Sequence, residues 1–455
     1  MNNPFDPLFK QSDQISPVRH FGHVTDIHGL MLKCSGLTRP FLGQRVSVEK
    51  VDGERILGDV VALSEGVCTV MPFGSMEGIS IGAKVIEDRE GHIASVSMGM
   101  VGRVINALGE PIDGKGALPT AHENLPLKAQ APNPRDRKPV GRMLDTGVRV
   151  LNTFLPFCKG QRMAIFSGSG VGKSVLMSMV AKYSEADINV IGLIGERGRE
   201  VREFVEEQLG EEGLKRSIVI VATGDEPPMM RRQAAYLTLT VAEYFRNQGK
   251  DVMLFMDSVT RFAMAQREIG LSIGEPPTTR GYPPSVFSEL PRLLERAGPG
   301  RENEGTITAL FTVLVEGGDM EEPVADAVRG IVDGHIVLER KLAEKGHFPA
   351  VQVLKSISRM APACYDEDQH KSVTEARGLL STYNDMEELI RLGAYKEGSD
   401  PAVDKAIRHM PKLEAFLKQA PKDHTEQAAS FSSLAEALQG NGARKVNPQE
   451  GEIPQ

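Results

Sequence analysis

The chain has 455 residues, 40% of them hydrophobic and 25% charged, which is enough apolar sequence for two or three folded domains and excludes global disorder. Its 53 Lys and Arg stand against 61 Asp and Glu, and the net charge of −8 gives no overall attraction to nucleic acid or anionic lipid, so no nucleic-acid partner is expected. Cys34, Cys68, Cys158 and Cys364 are scattered without paired spacing; neither a zinc site nor a disulfide framework is expected, and each reads as a small buried hydrophobe.

The opening MNNPFDPLFKQSDQ has no basic segment followed by an apolar core, and no run approaches the ~18 apolar residues of a membrane span. The expected location is the cytoplasm. Residues 1–20 form an N-terminal segment in which Phe5, Leu8 and Phe9 lie close together, a pattern shared by docking segments and frayed termini. Residues 21–100 carry short β-branched runs such as Arg45-Val46-Ser47-Val48 and Asp59-Val60-Val61-Ala62-Leu63, cut by Gly. They predict a small all-β barrel or sandwich. Residues 118–139, rich in Pro, Lys and Asn, read as a connecting strap.

Over residues 101–363 the pattern becomes α/β. Met163-Ala164-Ile165-Phe166, residues 190–194, 218–222 and 252–256 are apolar runs separated by helix-length segments, which predicts a mainly parallel sheet buried on both faces. Residues 364–420 are helical by spacing, in segments 373–392 and 401–418. Residues 421–455 are polar and predict a disordered tail, after a short helix near 434–438. No repeat of 20 to 50 residues is present, which removes solenoids and propellers.

The run Ser167-Gly168-Ser169-Gly170-Val171-Gly172-Lys173-Ser174 follows an apolar strand and leads, through Val175, into a helix. Small residues let backbone N–H groups face a phosphate, and the helix start adds positive potential. Lys173 then neutralises the β and γ phosphates of a nucleotide, and Ser174 offers its hydroxyl to Mg²⁺. Ser167 stands where the motif has its first glycine. A serine there is strained if the position needs a positive φ and harmless if it does not.

Asp257 ends the apolar run 252–256; it fits a magnesium-side carboxylate, and equally a helix cap. Glu196 follows the run 190–194, where a carboxylate is able to activate water, although a charged turn has the same composition. Phe348 by itself reads as core packing and Arg359 as a surface or ion-pair arginine.

GRVINALGEPIDGKG (residues 102–116), GQRMAIFSGSGVGKS (160–174), GLIGERGREV (192–201) and MDSVTRFAMAQRE (256–268) together resemble the rotary ATP synthase α/β superfamily, over residues 20–410. Residues 257–298 and 393–407 look most like its flagellar and virulence type III secretion ATPases. The resemblance implies an N-terminal β-barrel, a central RecA-like α/β P-loop domain, a helical C-terminal domain, and ATP hydrolysis with Mg²⁺ that energises protein export. It gives Lys173 and Ser174 the phosphate and magnesium roles, Glu196 the catalytic carboxylate, Arg197 the adjacent arginine, Asp257 the magnesium-side aspartate and Arg261 a further arginine near the phosphates. It also sets Phe348 against adenine and makes Arg359 an arginine finger for a neighbouring subunit. The implied partners are further copies in a homohexameric ring, regulator and stalk proteins, export chaperone–substrate complexes and a membrane export gate.

Two other classes share parts of this pattern. An RNA-translocating hexameric helicase would display aromatics and basic residues in its N-terminal domain, whereas Trp is absent and Phe21, Phe41 and Phe73 are dispersed. A non-catalytic rotary subunit would lack the carboxylate that Glu196 supplies.

Overall fold

The computed structural model describes residues 21–88, 92–119 and 123–439. Six strands come first: β1 (Phe21–His28), β2 (Met31–Ser35), β3 (Arg45–Glu49), β4 (Arg55–Ser64), β5 (Val67–Pro72) and β6 (Lys84–Glu87). Alternate residues such as Val46 and Val48 point into a shared core with Val24, Leu32 and Val85, so the sheet curls around its apolar face. It closes in the order β1-β2-β5-β4-β3-β6. Of the two all-β forms the sequence allows, the barrel is the one that forms.

Next come β7 (Ile93–Val96), β8 (Val104–Asn106) and β9 (Glu123–Pro126). The segment read as a bare strap therefore contains a strand, since β9 pairs antiparallel with β7. Its Glu-Asn-Leu-Pro sequence has little strand propensity, and backbone pairing rather than side-chain pattern decides it. The short β10 (Met143–Leu144) and β11 (Phe157–Cys158) pair with each other.

The central sheet is built from β12 (Arg162–Ser167), β13 (Ile188–Glu196), β14 (Ser217–Thr223), β15 (Asp251–Asp257), β16 (Gly298–Pro299), β17 (Thr306–Leu314), β18 (Gly334–Leu338) and β19 (Ile357–Ser358), joined by β8. Its order is β19-β18-β12-β17-β15-β13-β14-β8, with β16 beside β17. All neighbours are parallel except β19 and β16. Period-two alternation splits each strand between two cores. Ile218, Ile220 and Ala222 face the helix Pro228–Asn247, while Val219 and Val221 face the other side. Burial on both faces is why these strands read as unbroken apolar runs.

Helices Glu367–Arg391 and Pro401–Leu417 form a hairpin. Asp366 and Gln369 make a reciprocal capping box at the first, and Asp400 caps the second. A third helix, Gln427–Leu438, contains the short helix expected near 434–438 and begins earlier, in residues read as part of a disordered tail. Composition there is polar, but Phe431 and Leu434 fall on one helical face and are buried against the hairpin and the helix Arg149–Phe154, and that contact is what orders the segment. The cysteine reading also needs correction. Cys158 and Cys364 are joined as a disulfide across 206 residues of chain, a pairing that folding creates and linear spacing hides, while Cys34 and Cys68 are free and buried as expected. The docking pattern at Phe5, Leu8 and Phe9 and the tail after Gln439 lie outside the described residues.

Candidate functional site

Parallel pairing brings the carboxyl ends of β12, β17, β15 and β13 to one edge of the sheet, the edge where α/β folds gather ligands. Ser167, Glu196 and Asp257 are the residues found there. From β12 the chain turns through Gly168, Ser169, Gly170, Val171 and Gly172 into the helix Lys173–Tyr183. Gly170 and Gly172 have φ of 75° and 93°, values that favour glycine, and Val171 is buried beneath the turn. The helix has no side-chain cap and no acidic residue in its first turn. No protein side chain caps the first-turn N–H groups, which include those of Ser174 and Val175, and they are positioned to hold an anion.

Ser167 is explained by this geometry. It is the last residue of β12, paired with Leu314 and Leu338 in extended conformation, and a strand position does not need glycine. Its Oγ is buried without a hydrogen-bond partner.

Beside the turn, Lys173 Nζ donates to Glu196 Oε1 at 3.4 Å and to Asp257 Oδ1. Asp257 also accepts from Thr312 Oγ1 at 2.7 Å. The side chains of Lys173, Glu196 and Asp257 are 11%, 13% and 4% exposed, so water screens the three charges poorly. Burial pushes the Asp257 carboxyl above its ordinary range, against the pull of Lys173. Burial also raises Glu196, opposed by Lys173 and reinforced by Glu200. For Lys173 burial acts downward, but Asp257 and Glu196 outweigh it and hold the ammonium above its usual value.

Glu196 reaches this position through a bulge. The register of β13 against β14 shifts between Ile194 and Glu196, leaving Gly195 unpaired with φ of 73°. An added Cβ at Gly195 would sit 2.7 Å from Arg261 Cβ, so glycine is needed for both backbone and space. Arg261 lies in the first turn of the helix Val259–Ser272, capped by Ser258 rather than Asp257. The cap alternative for Asp257 is thereby removed. The Arg261 stem packs beside Gly195; its Nη1 donates to Met264 Sδ at 3.8 Å, and its Nε is buried with no partner.

The other predicted residues are placed differently. Arg197 is 87% exposed and pairs at 3.8 Å with Glu200, outside the cradle. Phe348 is not core: it is 45% exposed, and its ring edge lies 3.5 Å from where a Cβ on Gly172 would be. Arg359 is exposed and follows β19, whose Ser358 pairs with Gly334 at the start of β18, while Leu338 at the other end of β18 pairs with Ser167. Four residues of strand, about 13 Å, separate those two ends, and Arg359 stands away from its own chain's glycine turn.

Two residues of the site escape sequence reasoning. Thr312 occupies one position of an apolar strand and nothing local distinguishes it. Arg340 donates from Nη2 to the Ser169 carbonyl at 3.1 Å; its only sequence signal is a cation just past the end of β18.

The cradle suits Mg²⁺ and a polyphosphate. Mg²⁺ takes few protein oxygens and fills its shell with water and phosphate, and Ser174 and Asp257 supply a hydroxyl and a carboxylate. Among the described residues no cluster of three or more His, Cys, Asp or Glu forms a metal cage, and none is required for such an ion. The partnerless Arg261 Nε and the uncapped helix start match a polyanion.

Three family models match the chain: the β-barrel domain of the ATP synthase alpha/beta family over residues 24–87, its nucleotide-binding domain over 147–358, and the T3SS EscN ATPase C-terminal domain over 365–436. A flagellum-specific ATP synthase of Caulobacter vibrioides is 54% identical, covering 95% of this chain and 99% of its own. One from Salmonella typhimurium is 46% identical over 92% and 93% of the two chains. A type 3 secretion system ATPase of Xanthomonas euvesicatoria is 44% identical over 92% and 93%. The assembled ATPase EscN of the enteropathogenic E. coli type III secretion system superposes with a TM-score of 0.87 at 39% identity, covering 92% of this chain and 100% of that one. The chain belongs to the ATP synthase alpha/beta family and, within it, to the flagellar and type III export ATPases.

Proposed function

We propose that this ATPase powers protein export through a flagellar type III apparatus, with Mg²⁺ and ATP bound at boundaries between identical subunits. The convergence of Lys173, Glu196 and Asp257 beside an uncapped glycine turn carries the reading. Lys173 trades its carboxylate partners for the β and γ phosphates, held also by the N–H groups of the turn. Bound Mg²⁺ would be held by Ser174 and Asp257, and would neutralise charge on the phosphates and orient them. Glu196, freed of Lys173, accepts the proton of the attacking water, and its burial keeps its basicity above that of an ordinary carboxylate. Arg261 takes up charge on the phosphates through its unpartnered Nε.

Arg359 acts in trans, on the site of the next subunit, because its own chain holds it away from its own turn. Head-to-tail contact of that kind closes into a ring, and we assign a homohexamer. The structure of EscN with its central stalk EscO, which superposes with a TM-score of 0.85 at 39% identity, supports a stalk protein as partner. A regulator, export chaperone–substrate complexes and the membrane export gate complete the expected set, and the enzyme works at the cytoplasmic face of the membrane. Among the described residues no helix is long and apolar enough to cross a membrane, which fits peripheral attachment.

Flagellar use is favoured over virulence because a relative named flagellum-specific reaches 54% identity, whereas one named a type 3 secretion system ATPase reaches 44%. Deletion in the source organism should abolish motility; intact filaments in the deletion strain would reject the flagellar assignment. For the chemistry, Glu196→Gln should retain nucleotide binding and lower kcat by at least about a hundredfold. Hydrolysis at the parent rate would remove Glu196 as the base.

A further inference from the structure

Phe348, whose ring lies beside Gly172 of the glycine turn, is supported in turn by the C-terminal part of the chain. After the helix Pro401–Leu417 the chain crosses behind Phe348 before entering the last helix. Gln419, 4% exposed, is the centre of this crossing. Its backbone N–H donates to the Phe348 carbonyl at 2.9 Å. Its Oε1 accepts from the Arg149 backbone N–H at 2.8 Å, and its Nε2 donates to the carbonyls of Gly147 at 2.9 Å and Asp423 at 2.8 Å. Every polar group of this buried amide is engaged, and the bonds tie its own segment to residues 147–149 and to Phe348.

The crossing is held from both sides. The Arg149 guanidinium donates to the carbonyls of Phe416, at 3.0 Å, and Lys418. Tyr183, the last residue of the helix that begins at Lys173, donates from its hydroxyl to the Pro421 carbonyl at 3.2 Å and stacks on His424. Phe348 is 45% exposed, while its neighbours are held by the His347 N–H on the Leu342 carbonyl at 3.0 Å and the Glu339 N–H on the Ala350 carbonyl at 2.9 Å; the bond from Gln419 is made to Phe348's own carbonyl.

We propose that Gln419 is a positioning residue for the nucleotide base, fixing the Phe348 backbone so that its ring stands beside Gly172 where the base is received. The inference rests on the ATP reading above and on Phe348 as the base contact. Gln419 touches neither phosphate nor base; it acts through Phe348. Loss of its side chain takes the partners of the Arg149 N–H and the Asp423 carbonyl, leaves Gly147 only the Thr425 N–H at 3.2 Å, and lets the backbone at 418–420 relax, so the ring loses its fixed stance while the glycine turn, Lys173 and Asp257 keep theirs.

The test uses the full chain and two ligands that share phosphates but not a base. Mg-ADP and Mg-pyrophosphate are titrated calorimetrically into the parent, Gln419→Ala, Phe348→Ala and the double variant. The expected result is about a tenfold loss of ADP affinity in Gln419→Ala, with pyrophosphate affinity within about twofold of the parent, and no further loss on adding Gln419→Ala to Phe348→Ala. Gln419→Glu keeps the size and the acceptor toward Arg149 but cannot donate to Gly147 and Asp423; it should show the same selective loss and serves if the alanine variant does not fold. Equal losses of ADP and pyrophosphate affinity in every folded variant, additive losses in the double variant, or failure of both Gln419 variants to fold would make Gln419 a structural brace and overturn the proposal. A parent that hydrolyses no ATP would instead count against the ATP reading, which separates the two failures.

Discussion

Lys173 serves as counterion to two buried carboxylates before any nucleotide arrives. Removing it in Lys173→Ala leaves Asp257 and Glu196 as like charges without a cation, which should cost about 3–5 kcal/mol at neutral pH. The sign of the pH dependence follows from their raised folded-state pKa values. Protonated carboxyls favour the folded state, and that advantage is lost as pH rises through those values. Urea unfolding should therefore show the gap between parent and Lys173→Ala narrowing from pH 8 to pH 5. The same shift sets the kinetics. The acidic limb of kcat/KM should lie above the usual glutamate value of ~4.3 and should move in Glu196→Asp; a limb left in place by that change would mean that another group is the base. At this scale the sequence was informative wherever a residue belongs to a local run, as Lys173 and Ser174 do. It was silent on Thr312 and Arg340, whose bonds to Asp257 and Ser169 span 55 and 171 residues.

At the level of elements, the bulge at Gly195 turns Glu196 toward Lys173, and Gly195→Ala combines left-handed strain with a clash against Arg261. It should cost about 1–3 kcal/mol and lower kcat more than it raises KM, as steady-state kinetics beside thermal melts would register. The final helix is the clearest case of a composition argument giving way to packing. Leu434 is fully buried, and Leu434→Ala should destabilise by about 2–5 kcal/mol, measured by thermal unfolding; an unchanged melting temperature would return the segment to the status of a tail. The strands of the parallel sheet were legible because burial on both faces writes itself as apolar runs. Of the last helix only the end near 434–438 was legible, because the whole buries only a narrow stripe, and β9 was not, because it is set by backbone bonds that no side chain encodes.

For the whole molecule, the separation of Arg359 from its own glycine turn is the governing feature. Arg359→Ala should lower kcat by about 10³–10⁵ while leaving ADP binding to the single chain intact. Mixing Arg359→Ala with Lys173→Ala, each inactive alone, should restore measurable hydrolysis, since some boundaries then join an intact turn to an intact finger. No recovery in assembled mixtures would count against action in trans. The ends of β18 also set a rule of number. With Arg359 acting in trans as proposed, an open row of such chains holds one complete site fewer than it has chains, with a bare finger at one terminus and an unanswered turn at the other. Closing the row creates a site without adding a chain, so the last contact to form yields more catalysis than any before it.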